Sequence, residues 1–518
     1  MIIMYASVFL DKVTEVNNTI NTFVWVTLGL ALLIGTGILM TVLTKFFQIS
    51  HFGHWMKESI GKVFTKKVSG HTKDKASISQ FQALCTALAA TVGVGNIAGV
   101  AAAIVAGGPG AIFWMWVAAF FGMMTNFSEN VLGIFYRRKV GGEWAGGAMY
   151  YLQDGLGKKK GCKWIGRLLA VLFACFAILA SFGIGNMGQV NKIVANMESA
   201  FSIPALSSIV LYDGVSLYSV LIGAVLLILA ALIILGGMQR IAKVAEKIVP
   251  VMIVLFIVGS LVIIGVNHSR VGAAFASIFG SAFSGKAVWG GAVGVTLKQV
   301  ITWGFKRGVF SNEAGLGSSV MVHSCSNVKE PVRQGMWGIF EVFADTMVIC
   351  TMTALVVLTS GLVDLSTGAL AQGVTDSTLV ATAFSNVFGK GGEMFVAIAI
   401  LLFAFTTVLG WSQYGSKAVE YLGGKKAKQA YQVFFVLLIM SGALMTSSLA
   451  WDISDTFNGL MMIPNLIGVI VLSGQVRKIT QNYIDRKLKK KNVAPLLSYD
   501  PRIQKQMEDE LAAEAVTE

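Results

Sequence analysis

The sequence predicts an all-α protein that crosses a membrane many times, and its composition, segment lengths and charge pattern carry this prediction. Of the 518 residues, 55% are hydrophobic and 13% are charged, whereas a soluble globular protein carries about a quarter charged residues. Uncharged apolar stretches recur at the length, about 18 residues or more, that spans a bilayer as a helix. A membrane β-barrel would instead show segments of about ten residues with alternating polarity.

The apolar stretches and the breaks between them predict about eleven transmembrane helices. Residues 76–128 contain no Asp, Glu, Lys or Arg, and one helix of that length would measure about 80 Å. Two spans must share this stretch, and the predicted turn between them is Gly107-Gly108-Pro109-Gly110. The predicted spans are residues 21–44, 78–106, 111–136, 167–192, 214–238, 246–267, 290–322, 335–362, 394–420, 429–450 and 456–476.

The segments that connect these spans alternate between basic and nearly neutral. The positive-inside rule therefore predicts an N-terminus outside the cell and a C-terminus in the cytoplasm, with the chain in the plasma (inner) membrane. The formal net charge of +14 is then a topology signal with the lipid bilayer as its partner, and no nucleic acid is expected. The basic residues are Lys45, Lys57, Lys62, Lys66, Lys67, Lys73 and Lys75, then Arg137 to Lys139, Lys158 to Lys160 and Lys163, then Arg240 and Lys243, Lys329 and Arg333, Lys425, Lys426 and Lys428, and the C-terminal cluster.

The predicted organisation is a five-plus-five inverted repeat with one extra N-terminal helix. The spans that begin at residues 78 and 290 each open a group of five, and the charge pattern runs the two groups in opposite directions. The predicted units are an N-terminal helix with a basic cytoplasmic loop (1–77), a first five-helix repeat (78–267), a second, inverted repeat (290–476) and a cytoplasmic C-terminal tail (477–518).

Glycines interrupt the first span of each group. The stretch "TVGVGNIAG" (91–99) lies within the uncharged run, and glycines recur through residues 290–322. Broken helix is tolerated in hydrocarbon only where it is buried in protein or lines a cavity. Paired interruptions in the two halves of an inverted repeat point to the binding site of a transporter. Close helix packing through Gly95 and Gly99 is the alternative interpretation.

The ends of broken helices favour an amino acid and a hard cation as ligands. Free N–H groups at a half-helix N-terminus suit a carboxylate, and free carbonyls with nearby hydroxyls suit Na⁺. Because the span 78–106 has no charged side chain, its backbone would have to bind the anion. We therefore expect a secondary transporter of a small zwitterion, with Na⁺ as the coupling ion.

The sequence carries no signature of an enzyme or a primary pump. It contains no HExxH zinc motif and no GxxxxGK[ST] phosphate loop. Its five cysteines form no CxxC, and its five histidines lack metal-ligand spacing. We expect no catalytic residues and no cofactor. A channel is a further alternative, although two broken helices in inverted halves favour alternating access over a continuous pore.

Three stretches resemble the alanine or glycine:cation symporter family. They are "GGPGAIFWMWVAAFFG" (107–122), "QALCTALAATVGVGNIAGVA" (82–101) and "WGFKRGVFSNEAGLGSS" (303–319), and the resemblance covers about residues 20–480. It implies the inverted-repeat fold of the amino acid–polyamine–organocation class. It also implies uptake of alanine or glycine with Na⁺ or, as the alternative, with H⁺. We expect a functional monomer; the choice between alanine and glycine stays open, as does the preference for D- or L-forms.

The two broken helices supply most of the expected substrate contacts. In the second, Trp303, Gly304 and Phe305 are expected at the break, where rigid rings would limit the size of the substrate side chain. Packed or lipid-facing aromatics are the alternative. Asn96 is expected to cap the restarted first helix. The first helix is expected to bind through Thr91, Gly93, Val94 and Gly95, mostly by backbone.

Polar side chains on other spans complete the expected site. Gln189 is expected to accept from the substrate ammonium, unless this amide links helices instead. The resemblance implies a Na⁺ site in which the hydroxyls of Thr406 and Thr407 meet carbonyls near Ala90 and Gly93. The alternative is that each hydroxyl bonds the carbonyl four residues earlier. Trp411, one turn beyond Thr407, is expected to line the substrate pocket.

Several ionisable residues lie inside predicted spans, where such groups face the bundle interior or water. In pairs they would be gates or structural bridges, and alone they would be proton sites. No Asp/His relay is apparent in the sequence, which favours Na⁺ over H⁺. These residues are Glu129, Lys306, Arg307, Glu313, Glu341 and Asp345.

Overall fold

The computed structural model describes residues 2–63, 77–212, 214–283, 296–365, 370–445 and 449–517, which fold as a helical bundle. Two short antiparallel hairpins join helices: β1 (Arg138–Val140) with β2 (Glu143–Ala145), and β3 (Val210–Tyr212) with β4 (Val215–Ser216). Two sequence predictions lie outside the described residues. They are the start of the seventh span at residue 290 and the basic residues Lys66, Lys67, Lys73 and Lys75.

The first helical span begins earlier in the chain than predicted. Helix α1 (Ile2–Thr22) continues through a π-helical segment (Phe23–Gly29) into α2 (Leu30–Leu43). Residues 11–43 of this continuous helix are long and apolar enough to cross a membrane. The short helices α3 (Phe47–Ser50) and α4 (Phe52–Glu58) follow.

The first half of the bundle opens with a capped helix. Ser79 accepts from the Gln82 N–H, and the Gln82 side chain accepts from the Ser79 N–H, so this capping box fixes the start of α5. The helices of this half are α5 (Gln80–Thr91), a π-helical segment (Gly95–Gly99) with α6 (Val100–Gly107), α7 (Gly110–Phe135), α8 (Ala148–Asp154), α9 (Lys163–Phe182), a π-helical segment (Gly183–Met187) with α10 (Gly188–Ala200), α11 (Pro204–Ser207), α12 (Leu217–Ile234), α13 (Gly237–Val266) and α14 (Val271–Ala282).

The second half again opens at a capping box, formed by Thr296 and Gln299. It ends in helices that belong to the predicted tail, so the tail is partly helical. The helices of this half and the tail are α15 (Leu297–Asn312), α16 (Val320–His323), α17 (Pro331–Val342), a π-helical segment (Phe343–Cys350) with α18 (Thr351–Thr359), α19 (Leu379–Phe388), α20 (Lys390–Ala443), α21 (Leu449–Val471), α22 (Ser473–Tyr483), a π-helical segment (Ile484–Leu488) and α23 (Pro501–Thr517).

Eight helices in the described part of the chain are long and apolar enough to span a membrane, and a ninth span results if α5 and α6 count as one bent helix. One of the eight, α20, has 54 residues and contains a non-helical residue, Gly424, with φ 74°. It therefore covers the span predicted at 394–420 and residues 429–443 of the span predicted at 429–450. The all-helical, multi-span class is observed, and the count of eleven stays a prediction.

Apolar side chains cover the outer faces of the long helices. Leu221, Val225, Ile228 and Leu232 of α12 are all more than 40% exposed. They recur every three to four residues, which is the spacing of one helix face. Such a face is expected where lipid rather than protein surrounds the bundle.

Both spans that were predicted to be interrupted are broken in the fold, the second of them later in the chain than predicted. The turn between α6 and α7 lies at Gly108, with φ 75°, as predicted. The first break lies between Thr91 and Gly95, and the helix axes on its two sides differ by 55°. The second break follows Asn312, where Glu313, Gly315 and Gly317 have φ values of 56°, 92° and 74°. These left-handed conformations end α15, and glycine adopts them without steric cost.

The two broken segments are joined at one end of the bundle. We call this the basic end, because Arg137 and the lysines 158–160 lie there. Ile78, just before α5, pairs with the segment after α16: its N–H donates to Cys325 O (3.1 Å), and its carbonyl accepts from the Asn327 N–H (2.8 Å). Arg137 holds the same segment by donating to the carbonyls of Ser324 (3.2 Å) and Ser326 (2.6 Å). These bonds tie the start of α5 to the segment that follows α16.

Candidate functional site

The two breaks meet inside the bundle. A Cβ placed on Gly95 would lie 3.1 Å from the Phe310 ring and 3.7 Å from the Ser311 Cα. The restart of the first helix therefore packs directly against the last turn of α15. This contact brings the ends of two broken helices to one place, which is the arrangement that binds ions and polar ligands within a membrane.

Gly93 brings the first break against α20 and α10. A Cβ on Gly93 would lie 2.5 Å from Thr407 Oγ1 and 3.5 Å from Gln189 Oε1. Only glycine leaves room for this approach. Among the described residues, neither Gln189 Oε1 nor Thr91 Oγ1 has a hydrogen-bond partner, although both atoms are buried. Buried oxygens normally have a partner, so this cluster has acceptor capacity for a ligand. Gly93, Gln189 and Thr407, all predicted site residues, are thus brought together.

The two neighbouring threonines point in different directions. Each hydroxyl donates to a carbonyl of its own helix: Thr407 to Phe403 O (2.9 Å) and Thr406 to Leu402 O (2.9 Å). This is the local bonding foreseen as the alternative, and it leaves the oxygen lone pairs free to bind a cation. Thr407 faces Gly93, whereas the Thr406 hydroxyl lies 3.5 Å from the Met252 sulfur. Ala90 packs against Gly410, one turn farther along α20. Of the two hydroxyls, that of Thr407 is therefore the better placed to bind a cation beside Gly93.

Two tryptophans fill spaces opened by glycines. Trp411 is 1% exposed and packs against Gly185, within the π-helical segment between α9 and α10. Trp451 packs in the same way against Gly188, and its ring lies 5.8 Å from the Phe310 ring. Any side chain on either glycine would collide with a ring. The sequence analysis expects Trp411 to line the substrate pocket, and this stays a prediction; it does not name Trp451, which lies in a predicted connection.

Trp303, Gly304 and Phe305 do not lie at the second break. They sit inside the continuous helix α15, whose last residue is Asn312. A Cβ on Gly304 would lie 2.5 Å from the Ala111 carbonyl oxygen, so this glycine serves close packing against α7. A glycine within a helix costs only about 1 kcal/mol and does not by itself break it. The residues of α15 that reach Gly95 are Phe310 and Ser311 instead.

A cavity of about 370 Å³ leads from the end opposite the basic end to the breaks. Val94, Gly95, Phe310 and Trp451 line it. Its walls also carry Lys192, Arg307 and Asp376, none of which forms an ion pair within the described part of the chain. A second cavity, of about 210 Å³, lies at the basic end beside Ile78, Trp144 and Lys417. Neither cavity is lined by Gly93, Gln189 or Thr407, which lie between them.

Asn96 does not cap the restarted helix in the predicted way. Its Oδ1 accepts from the Gly93 N–H (2.9 Å), which precedes it, and its Nδ2 donates to Asp345 Oδ1 (2.6 Å). Asn96 and Asp345 each lie in a π-helical segment, a distortion often found at functional sites. Ser311 also donates to Asp345, at 2.7 Å. No partner of Asp345 could be predicted from the sequence, because Asn96 lies 249 residues away in the chain.

The other charged residues within the predicted spans contact different kinds of side chain: an opposite charge, aromatic rings, a hydroxyl and a histidine. Lys306 pairs with Asp455 (2.9 Å), while Arg307 lies over the rings of Trp303 and Phe310. Glu313 accepts from Ser318 at 2.5 Å. Glu341 contacts His323 at 2.9 Å. This last pair is the acid–histidine contact that was not apparent in the sequence.

Comparison with known proteins identifies relatives along nearly the whole chain. Residues 10–496 match the model of the sodium:alanine symporter family. The sodium/alanine symporter AgcS of Methanococcus maripaludis is 44% identical over 480 residues, which are 92% of this chain and 98% of the relative. Two Bacillus subtilis proteins are also similar. The probable sodium/glutamine symporter GlnT is 36% identical, covering 90% of each chain, and the putative sodium/proton-dependent alanine carrier YrbD is 35% identical, covering 93% of this chain and 94% of its own.

A solved structure shares the fold. The crystal structure of MhsT in complex with L-phenylalanine aligns with a TM-score of 0.50 and 13% sequence identity, covering 78% of this chain and 98% of that chain. At this identity the likeness is evidence for the fold alone, and it confirms the fold class that the sequence predicts.

Proposed function

This chain belongs to the sodium:alanine symporter family, and from that premise we propose that it imports alanine or glycine together with Na⁺ by alternating access. The approach of Thr407 to Gly93 beside the unpartnered Gln189 oxygen is the observation that supports this proposal most. A helix break that is this closely packed, and polar on its inner side, suits a small polar ligand and excludes a large one.

The substrate binds at the first break. Its carboxylate is held by N–H groups at Val94 and Gly95, where the helix restarts and the first N–H groups lack intrahelical acceptors. Its ammonium group donates to Gln189 Oε1, and Thr91 Oγ1 adds a second acceptor. The rings of Trp411 and Phe310 enclose the small side chain of the substrate. Phe310 and Ser311 take the place that the sequence assigned to Trp303, Gly304 and Phe305.

Na⁺ binds beside the substrate, between the first break and α20. Its ligands are the Thr407 hydroxyl and carbonyls of the unwound segment around Ala90 and Gly93, with Thr406 in a weaker role because it faces Met252. Oxygen donors without a carboxylate suit a hard monovalent cation. One cation placed next to the substrate carboxylate couples the two binding events by direct attraction.

The cavity that reaches Gly95 is the outer pathway of this cycle. The basic end faces the cytoplasm in this proposal, so the N-terminus lies outside and the chain sits in the inner membrane. Inward release then requires the bonds between Ile78 and residues 325–327 to open. We further propose that a monomer is functional, because the site is built from one chain, and that the repeats span 78–267 and 290–476. No enzymatic activity or cofactor is proposed.

Uptake into proteoliposomes tests this function. Radiolabelled alanine and glycine are offered under a Na⁺ gradient and, separately, under a pH gradient. The proposal expects Na⁺-driven accumulation, with counterflow stimulated by unlabelled substrate inside the vesicles. Uptake without accumulation or counterflow would indicate a channel instead. Uptake driven by the pH gradient alone would favour the second candidate, an H⁺-coupled symporter, to which the buried contact between Glu341 and His323 lends support.

A further inference from the structure

The C-terminal tail folds back onto the basic end of the bundle. Residues 489–500 connect the last π-helical segment to α23, and α23 packs against the hairpin of β1 and β2. Within the tail, Gln504 Oε1 accepts from the Leu497 N–H (2.8 Å). The Tyr499 N–H donates to the Phe135 carbonyl at the end of α7 (3.1 Å). These bonds fix the position in which the tail docks.

One apolar face of the tail covers a tryptophan of the hairpin. Leu497, Ile503 and Met507 form a buried cluster with the Trp144 ring, and Leu511 packs against this cluster. Ile503, Met507 and Leu511 are spaced four residues apart, so they share one face of α23. Trp144 is 4% exposed, although its hairpin lies outside the membrane-spanning helices. Because a tryptophan ring has a large apolar area, its burial holds α23 against the hairpin.

Trp144 connects the tail to the segment that pairs with the start of α5. Its ring lies 4.0 Å from the Arg137 guanidinium, which donates to the carbonyls of Ser324 and Ser326. The Trp144 carbonyl accepts from the Cys325 thiol at 3.6 Å. This is the segment whose bonds have to open for inward release. The tail therefore packs on a residue that itself holds the closed segment.

Two ion pairs attach the C-terminal region to the residues that follow this segment. Arg486, after α22, donates to both carboxylate oxygens of Glu330 (2.8 and 2.7 Å). This pair is bidentate and its carboxylate is 3% exposed, which is the strong kind of ion pair. Lys329 contacts the Glu510 carboxylate of α23 (3.4 Å), which is 41% exposed. An exposed pair of this kind is weak. The base of the tail is thus held more firmly than α23.

We propose that the C-terminal tail, residues 486–511, is a latch that keeps the basic end closed. While α23 covers Trp144 and contacts Lys329, the segment 324–328 is held against the start of α5. Opening toward the basic end requires α23 to leave the hairpin, whereas the pair of Arg486 and Glu330 keeps the tail attached. This inference goes beyond the proposed function, because it assigns a regulatory role to a region that contributes no residue to the binding site.

The latch shifts the conformational equilibrium of the transporter. A docked tail adds contacts to the state in which the basic end is closed, and it adds none once Trp144 and the segment have separated. A contact that is present in only one of two states favours that state by its full free energy. The tail therefore lowers the fraction of molecules that are open at the basic end and slows release there.

The native Cys325 thiol reports whether the basic end has opened. Cys325 is 4% exposed and lines the cavity at the basic end, so a thiol reagent reaches it when the segment moves. The purified full-length protein is labelled in detergent, and mass spectrometry identifies the labelled cysteine. Cys162 and Cys175 are replaced by serine because both are partly exposed.

Two substitutions in α23 should open the latch. Ile503→Glu and Met507→Glu each place a carboxylate in the apolar contact with Trp144, where its burial is unfavourable. We expect each to raise the labelling rate of Cys325 by about tenfold or more. Ala512→Glu, the same kind of change on an exposed position of α23, should label at the wild-type rate. Equal rates in all four proteins, or an equal rise in Ala512→Glu, would overturn the proposal.

A reversible cross-link tests the latch in the opposite direction and decides the question if the α23 variants fail to fold. Lys329→Cys and Glu510→Cys replace the exposed ion pair in a protein whose Cys325 is changed to serine, and a cleavable thiol-specific reagent joins the two thiols. We expect the cross-link to lower alanine uptake into proteoliposomes by about tenfold or more and reductant to restore it. Each single cysteine variant is a control. Uptake that is unchanged by the cross-link would overturn the proposal.

The outcomes separate the latch from the proposed function. Labelling of Cys325 requires neither Na⁺ nor alanine, so it tests the latch even if the protein carries a different solute. Wild-type protein that shows no Na⁺-driven alanine uptake, with faster labelling in Ile503→Glu and Met507→Glu, would overturn the proposed function and support the latch. Normal uptake with equal labelling in all variants would overturn the latch alone.

Discussion

The Thr407 hydroxyl oxygen lies 2.5 Å from the position that a Cβ would take on Gly93. This contact joins the break of the first helix to the long helix α20. Real Cβ atoms do not approach other atoms so closely, so the contact exists only because residue 93 is glycine. It also places a hydroxyl beside the backbone of a broken helix, and hydroxyl and carbonyl oxygens are the ligands that an alkali cation prefers.

Replacing Gly93 should therefore disrupt the site without unfolding the bundle. We expect Gly93→Ala to lower Na⁺-dependent alanine uptake by at least about 100-fold, since a displacement of about 1 Å in a binding constellation can have an effect of that size. Uptake per correctly folded protein, judged by gel filtration, is the measurement. Gly265→Ala is the control, because no atom lies within 4 Å of its added Cβ. Wild-type uptake by Gly93→Ala would contradict the geometry.

The two threonines should differ in their effect on Na⁺ dependence. Thr407→Val removes the hydroxyl beside Gly93 and should raise the Na⁺ concentration for half-maximal uptake by about tenfold, or ~1.4 kcal/mol. Thr406→Val, which removes a hydroxyl that faces Met252, should raise it by about threefold or less. The measurement is the Na⁺ titration of initial uptake rates at fixed alanine. Equal shifts in the two variants would mean that both hydroxyls contact the ion.

Two phenylalanines of α15 form a matched pair for locating the substrate. Phe310 reaches Gly95 and lines the cavity, whereas Phe305 packs beside Trp114, with ring centroids 6.1 Å apart. Phe310→Leu should raise the KM for alanine by about fivefold or more, on the order of 1 kcal/mol. Phe305→Leu should leave KM within about twofold of the wild type. A larger effect at Phe305 would restore the interpretation based on sequence.

The ion pair between Lys306 and Asp455, which lies away from the proposed site, should stabilise the fold. Lys306 pairs with Asp455, and Asn21 donates to the same carboxylate (2.9 Å), so the extra N-terminal helix is tied to the second half of the bundle. Lys306→Met leaves a largely buried carboxylate without its cation, which should cost about 1–3 kcal/mol. The expected result is a lower midpoint of thermal unfolding in detergent. Lys298→Met, at the exposed start of the same helix, should leave the midpoint unchanged.

The first break could be predicted from the sequence because its signal is local. An uncharged run with Gly93, Gly95 and Asn96 in its middle is poor helix material, and an exposed broken helix is excluded from lipid. The prediction for the second break was wrong by about two turns. Gly304 and Gly308 are helix glycines that admit α7, and the sequence alone does not distinguish such packing glycines from those with positive φ, Gly315 and Gly317.

Contacts between residues that lie far apart in the chain could not be predicted from the sequence. His323 and Glu341 lie 18 residues apart, and Asn96 lies 249 residues from Asp345. Neither spacing carries a local signal, so the acidic residues of the spans appeared without partners. The direction in which a side chain points cannot be predicted from the sequence either. Thr406 and Thr407 are adjacent in the chain, and only helix rotation decides which one faces Gly93.

The most direct test of the central claim is equilibrium binding of labelled alanine to the purified protein in detergent, with Na⁺ compared against K⁺ at equal ionic strength. A shared site at the first break predicts that Na⁺ lowers the Kd for alanine by about tenfold or more, and that Thr407→Val removes most of this difference. Alanine binding of equal strength in both salts, or a Na⁺ effect that is unchanged in Thr407→Val, would contradict the account.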